Sequence, residues 1–160
     1  MNFMENIVGE ICKILFPIND DVFFGNPRSS IVICTLSSMR LLKEIADSDL
    51  ISKIAVVGRL LSENKGIDSL VKYIIANKTI SAIIICGKDT YGHRPGHSLL
   101  ELYKNGIDGD GRIIGSCSPD PLLTVTKSEV FAFQRQVKIA DKIGETNVSK
   151  IKLAVDPLKF

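Results

Sequence analysis

From Ala82 to Gly87 the chain reads Ala-Ile-Ile-Ile-Cys-Gly, an unbroken apolar run closed by glycine. A strand that is apolar on both faces must be covered on both faces. That is the situation of an interior strand in a parallel sheet. Two further runs share this character: Ile31-Val32-Ile33-Cys34-Thr35-Leu36, and Ile54-Ala55-Val56-Val57, the latter closed by Gly58. Parallel neighbours need crossovers, and the intervening segments have the spacing of amphipathic helices.

These segments are Leu41 to Leu50; Asp68 to Ala76, with Leu70, Val71, Tyr73, Ile74 and Ile75 apolar; and a helix opening at Ser98 that Asn105-Gly106 stops. A fourth strand is expected at Arg112-Ile113-Ile114-Gly115. A long helix is expected from Lys127 to Ile143, with Val130, Phe133, Val137 and Ile139-Ala140 facing inward and Gly144 as its cap. Val148 to Val155 reads as a helix or an edge strand. Ahead of the alternation, Ile7, Ile11, Ile14 and Leu15 mark a short helix from Asn6 to Leu15, ended by Phe16-Pro17, and Asp20 to Ser30 reads as an irregular connection.

The pattern predicts an α/β fold: a Rossmann-like three-layer domain with a mostly parallel central sheet and helices on both faces. At 160 residues the chain fits one domain, with residues 1–24 as leading helix and connection and 25–151 as core.

Composition excludes several classes. Net charge is +2 with acids and bases interspersed, so no basic stripe offers a nucleic-acid footprint. No apolar run approaches the roughly 18–20 residues of a membrane span. The N-terminus lacks the basic start of a signal peptide, so a cytoplasmic location is expected. Cys12, Cys34, Cys86 and Cys117 form no C-x-x-C pair, which argues against a zinc knuckle, and the three that lie in or at the end of apolar runs read as small buried hydrophobes.

In open sheets of this type, ligands bind beyond the carboxyl ends of the strands. That rule selects Ser37-Ser38, Gly58 to Gly66, Gly87 to Ser98, and Gly115 to Thr126. Two of these exceed the usual length of about 2–6 residues. Both histidines, His93 and His97, lie in the third, Gly87-Lys88-Asp89-Thr90-Tyr91-Gly92-His93-Arg94-Pro95-Gly96-His97-Ser98. Gly92 and Gly96 permit close backbone approach by a flat ligand, and an imidazole can act as base, acid or metal ligand near neutral pH.

Zinc hydrolysis is disfavoured, because Pro95 and Gly96 interrupt the His-x-x-x-His spacing and no Glu follows His93. No G-x-S-x-G elbow occurs; Gly115-Ser116-Cys117-Ser118 is a loose echo, which leaves His93 with Ser116 or Asp89 as a weak hydrolase alternative. No G-x-G-x-x-G or Walker sequence occurs, and Gly109-Asp110-Gly111 lies at the wrong end of the sheet. In the second loop, Ser62 or Asn64 would cap the next helix. In the fourth, Ser116 to Thr124 offers hydroxyls and backbone groups stiffened by Pro119 and Pro121.

An ordered series of segments resembles the A subunit of tetrahydromethanopterin S-methyltransferase. It comprises Gly25-Asn26-Pro27 with Ile31 to Leu36, Gly58, Glu63-Asn64-Lys65-Gly66-Ile67, Ile83-Ile84-Ile85-Cys86-Gly87, Gly92-His93, Gly96 with Leu99-Leu100, Asn105-Gly106-Ile107-Asp108, Arg112-Ile113-Ile114-Gly115, and Phe133-Gln134-Arg135-Gln136.

The resemblance implies a corrinoid-binding methyl carrier of a methyltransferase system in methanogenesis and one-carbon metabolism, rather than a stand-alone enzyme. It implies a cobalamin cofactor whose cobalt cycles between Co(I) and methyl-Co(III). Methyl-tetrahydromethanopterin would be the donor, coenzyme M the acceptor, and other methyltransferase subunits or domains the partners. The family's cobalt-ligating histidine falls on His93, whose other ring nitrogen would need a partner. The implied cofactor surroundings are Gly92, Gly87, Gly96, His97, Gly58, Asn64, Gly115, Ser116, Ser118 and Pro119. A non-catalytic corrinoid-binding or regulatory module is the alternative.

The chain departs from the pattern at Arg59-Leu60, where the family usually has Pro-Cys, and at Pro95-Gly96-His97, where it usually has Thr-Gly-Gln. Typical members also continue into a membrane helix. This chain is expected to be either a soluble part of such a protein or a free-standing relative.

Overall fold

The computed structural model describes residues 22–158. The elements in chain order begin with β1 (Val22–Phe24), β2 (Ile31–Cys34), α1 (Met39–Ala46), a 3-10 turn (Asp49–Lys53), β3 (Val56–Gly58) and α2 (Lys65–Ala76). They continue with β4 (Ala82–Gly87), α3 (Pro95–Asn105), α4 (Lys127–Gln136), β5 (Lys138–Ile143), α5 (Val148–Val155) and a final 3-10 turn (Asp156–Leu158).

One sheet runs in the order β1-β3-β2-β4-β5. β2 pairs in parallel with β3 and β4, and β4 with β5; β1 joins β3 antiparallel at the edge.

Alternation along each interior strand explains why the apolar runs are continuous. In β2, Val32 and Cys34 enter one core while Ile31 and Ile33 enter the other. In β4, Ile83 and Ile85 face the first core, and Ala82, Ile84 and Cys86 the second. The first core is closed by Leu70 and Ile74 of α2, Leu99 and Leu102 of α3, and Val130 and Phe133 of α4. The second is closed by Leu41, Leu42 and Ile45 of α1 with Ile151 and Val155 of α5. The result is the expected three-layer α/β fold.

Four local expectations need correction. The fourth parallel strand is Lys138–Ile143, not Arg112–Gly115. Around Arg112 there are only isolated antiparallel bridges, Ile107 to Ile113 and Arg112 to Leu122, and Ile114 stands exposed. The helix from Lys127 stops at Gln136, where Val137 turns extended, and the next six residues pair with all six of β4. Apolar residues at 130, 133 and 137 continue a helical period across this break, but β4 has an open edge that a β-branched segment can satisfy. Gly144, with φ +92, therefore turns the chain out of β5 rather than capping a helix. Val148 to Val155 is a helix, and the Asp20–Ser30 connection contains β1. The helix expected over Asn6 to Leu15 lies outside the described residues.

The first parallel strand, β2, lies between β3 and β4. The chain therefore reverses direction across the sheet between β2 and β4, and this is the switch point where such folds open a crevice. Here the loops after β2 and β4 are tied together by hydrogen bonds. Ser37 donates to the Lys88 carbonyl from both its N–H and its Oγ, at 3.0 and 2.6 Å, and Lys88 N–H donates to Ser38 Oγ at 2.9 Å. Gly87 permits this approach: its φ is +76, and a Cβ there would sit 2.3 Å from the Thr35 carbonyl oxygen.

Candidate functional site

Three loops meet beside α2 and α3, at the carboxyl ends of β3 and β4. Their meeting point is Glu63, in the loop after β3. Its side chain is only 2% exposed, so its charge needs partners. His93 supplies one: its Nδ1 lies 3.1 Å from Oε2 and 3.3 Å from Oε1. Asp120 supplies another, its N–H donating to Oε1 at 3.1 Å. A carboxylate has no hydrogen to give, so the His93 ring hydrogen sits on Nδ1. The His93 side chain is 59% exposed, and no hydrogen bond to Nε2 is found among the described residues.

The backbone around His93 is equally constrained. α3 begins at Pro95, and the residue in its N-cap position, Arg94, is left-handed (φ 45) and makes no side-chain cap. Asp89 caps the helix instead, accepting from Gly96 N–H at 2.9 Å and His97 N–H at 3.0 Å. Ser118 Oγ donates to the His93 carbonyl. Ser98, fully buried, lies 2.6 Å from both Ser116 Oγ and Ser118 Oγ. Because Ser118 gives its hydrogen to His93, Ser98 must donate to Ser118 and Ser116 to Ser98, which orders the three hydroxyls in one direction.

The fourth loop is carried to this edge although no strand precedes it. Asp68 of α2 accepts from Thr124 N–H and Val125 N–H and from Thr124 Oγ1. Asn64 caps α2 through Lys65 N–H, and its Nδ2 donates to the Asp120 carboxylate and carbonyl.

The residues singled out from sequence divide as follows. His93, Asn64, Ser116 and Ser118 are brought together, and Pro119 is exposed beside them. Gly92, with φ +82, has no atom within 4 Å of its Cβ position, so the turn is open there. His97 is committed elsewhere: its Nε2 accepts the Cys117 N–H at 3.3 Å. Gly58 and Gly87 end β3 and β4 in the interior, and Gly96 packs against Leu36. Gly115 lies against Glu101 and Asn105 along α3.

The hydrolase alternative is not supported, because Asp89 spends both oxygens on the α3 amides and Ser116 bonds Ser98. Cys34 and Cys86 are buried as expected, and Cys117 is exposed.

Sequence reasoning missed Glu63, Asp68, Asp120 and Ser98 as structural parts of the site. Glu63 stood in the Glu63-Asn64-Lys65-Gly66-Ile67 segment of the resemblance, one residue ahead of a helix cap, with nothing to tie it to His93. A separate cleft of about 710 Å3 lies at the same sheet edge on the opposite face, lined by Ser37, Arg40, Glu44, Lys88 and Asn147 among others. Among the described residues no three His, Cys, Asp or Glu side chains converge as a metal-binding group. None of the described helices is long and apolar enough to cross a membrane.

The family profile MtrA, which describes the A subunit of tetrahydromethanopterin S-methyltransferase, matches residues 13–159. A Methanosarcina barkeri protein provisionally named as the A subunit of the methyltransferase Mtx is 36% identical over 143 residues, covering 89% of this chain and 68% of the relative. The tetrahydromethanopterin S-methyltransferase A subunit of Methanocaldococcus jannaschii is 34% identical over 140 residues, covering 86% of this chain and 56% of the relative. Its counterpart from Methanosphaera stadtmanae is 35% identical over 138 residues, 85% of this chain and 53% of the relative. The chain thus spans a little over half of the latter two proteins.

Proposed function

Since the chain belongs to the A-subunit family of tetrahydromethanopterin S-methyltransferase and is a component of a methyltransferase system, we propose that it is the cobalamin-binding methyl carrier of that system, in which His93 would hold the cobalt. The observation that supports this reading is the asymmetry of the His93 ring: Nδ1 is held by a buried carboxylate, while no hydrogen bond to Nε2 is found among the described residues and the side chain is 59% exposed.

The residues fit the group. A metal held by protein alone would need several converging side chains, whereas cobalamin brings its own donors to cobalt and would ask only one of the protein, which His93 would supply. The turn is open at Gly92, where an added Cβ would meet no atom, and this supports room for a broad, flat ligand at the turn. When bound, the cofactor supplies a cobalt centre that takes up and releases a methyl group.

The chain's own contribution is orientation. Glu63 holds the ring, Ser118 holds the His93 carbonyl, and Asp89 anchors the start of α3 beneath them. The methyl donor in this reading is methyl-tetrahydromethanopterin or a related methylated carrier, and other subunits of the system bring donor and acceptor to the cobalt.

The test is retention of cofactor. Protein incubated with hydroxocobalamin and passed through gel filtration is expected to elute with the corrinoid absorbance in its own peak. Colourless protein after that step overturns the proposal.

A further inference from the structure

We propose that the cleft on the α1/α5 face of the sheet is a second binding site, which holds a tetrahedral oxyanion: free phosphate, or the phosphate or sulfonate end of a small molecule. The proposal does not depend on the reading of His93.

The cleft, about 710 Å3, is lined by the first turns of α1 and α5 and by the loops after β2 and β4. This is the carboxyl edge of the sheet at its switch point, where folds of this class take ligands. Its charge favours an anion. Lys88 lines it and has no ion pair among the described residues. The one carboxylate in the lining, Glu44, is already bound to Arg40 at 2.7 Å.

Helix α1 opens toward this space without a cap of its own. Ser38, in its N-cap position, makes no side-chain cap, since its Oγ accepts from Lys88 N–H instead, and no acid stands in the first turn. The N–H groups of Arg40 and Leu41 therefore find no acceptor among the described residues, and such amides carry partial positive charge. At α5 the situation differs, because Asn147 Oδ1 accepts from both Ser149 and Lys150.

A buried group marks the same place independently. Thr35 extends β2, its N–H donating to the Gly58 carbonyl at 2.9 Å. Ile31 and Ile33 enter the second core, so strand alternation turns Thr35 to that face, which is the face of the cleft. Its carbonyl accepts from Ser38 N–H at 3.0 Å, which seats it under the start of α1. Thr35 is fully buried, and its Oγ1 has no hydrogen-bond partner among the described residues. A buried hydroxyl without a partner is costly, and an oxygen bound at the α1 amides is the acceptor it lacks.

The amides, the ammonium of Lys88 and the Thr35 hydroxyl are all donors. A group with three or four acceptor oxygens answers more of them than a carboxylate with two. Lys88 also opens the loop that carries Asp89 and His93, so a ligand in the cleft touches that loop at its root.

The test is proton–nitrogen NMR of the full chain, titrated at neutral pH with inorganic phosphate, glycerol phosphate or methanesulfonate, with sodium chloride at equal ionic strength as control. The Arg40 and Leu41 amide signals are expected to shift and saturate with at least one of the three, at a Kd of about 10 mM or below. The tightest of the three identifies the source: the free ion, an ester or a sulfonate. Lys88→Gln, which changes an exposed side chain and keeps the backbone bonds of Lys88, should weaken that binding about 10-fold. Thr35→Val, which keeps the shape and removes the hydroxyl, should weaken it about 3–10-fold. Shifts at Arg40 and Leu41 that never saturate, or that sodium chloride reproduces, overturn the proposal. So does unchanged affinity in Lys88→Gln, which decides the matter even if Thr35→Val fails to fold, or unchanged affinity in folded Thr35→Val.

Discussion

His97 accepts the backbone N–H of Cys117 on its Nε2 at 3.3 Å. The second histidine of the turn is thereby spent on holding the 116–118 segment against α3, and its Nδ1 carries the hydrogen while the ring is neutral. His97→Gln should preserve this bond through the amide oxygen and leave cobalamin retention unchanged. His97→Ala should cost about 0.5–1.5 kcal/mol in stability and still bind. Thermal melts and gel filtration with hydroxocobalamin check both, and loss of binding in folded His97→Gln would move the ligand role to His97.

The Phe133-Gln134-Arg135-Gln136 segment contributes to the scaffold rather than the site. Gln136 Nε2 donates to the carbonyls of Ile74, Asn77 and Ile80 at 2.7–3.0 Å, and Gln134 Nε2 to those of Leu102 and Tyr103. These side chains tie α4 to the carboxyl ends of α2 and α3 and to the turn after α2, where the Ile74, Asn77 and Leu102 carbonyls also accept a backbone N–H. Gln136→Ala is expected to cost about 1–3 kcal/mol and lower Tm by several degrees, with the cofactor still retained. An unchanged Tm would remove this role.

Burial pushes the Cys34 thiol up to about 12, and it pushes Cys86 higher still, with Cys34 adding to the effect. Cys117 is exposed. Only thiolate is nucleophilic, so native protein treated with iodoacetamide at about pH 8 should be alkylated at Cys117 and spared at Cys34 and Cys86. Peptide mapping after denaturation should show all three labelled. Native labelling of Cys34 ahead of Cys117 would contradict the packing described.

Lys152 of α5, hydrogen-bonded to Asp49, holds that carboxyl below its usual range, tying the 3-10 turn to the helix. A group whose folded pKa is lowered contributes stability above its unfolded pKa and loses it as pH falls through the folded value. Wild type should therefore melt above Asp49→Asn at neutral pH, and the gap should close on acidification. A gap that widens in acid would contradict the pairing.

The sheet was legible in the sequence where burial on both faces left a continuous apolar signature, as at Ile31 to Leu36 and Ala82 to Cys86. β5 was not, because it is an edge strand: Lys138, Asp141 and Lys142 face solvent, and its apolar residues continue the helical period of α4. The same holds at the site. His93 between glycines stood out as a residue type in a long loop. Its partner Glu63 lies thirty residues away, and that pairing exists only because β3 and β4 end at the same sheet edge. Asp68 looked like an ordinary residue in the first turn of a helix, yet it binds the loop at Thr124 and Val125.

The central claim, that His93 presents its nitrogen to cobalt, is tested most directly by electron paramagnetic resonance of protein loaded with cob(II)alamin. Coupling to an imidazole nitrogen is expected in wild type and in His97→Ala, and is expected to vanish in His93→Ala while the protein remains folded. Nitrogen coupling that survives in His93→Ala, or disappears in His97→Ala instead, would contradict the account.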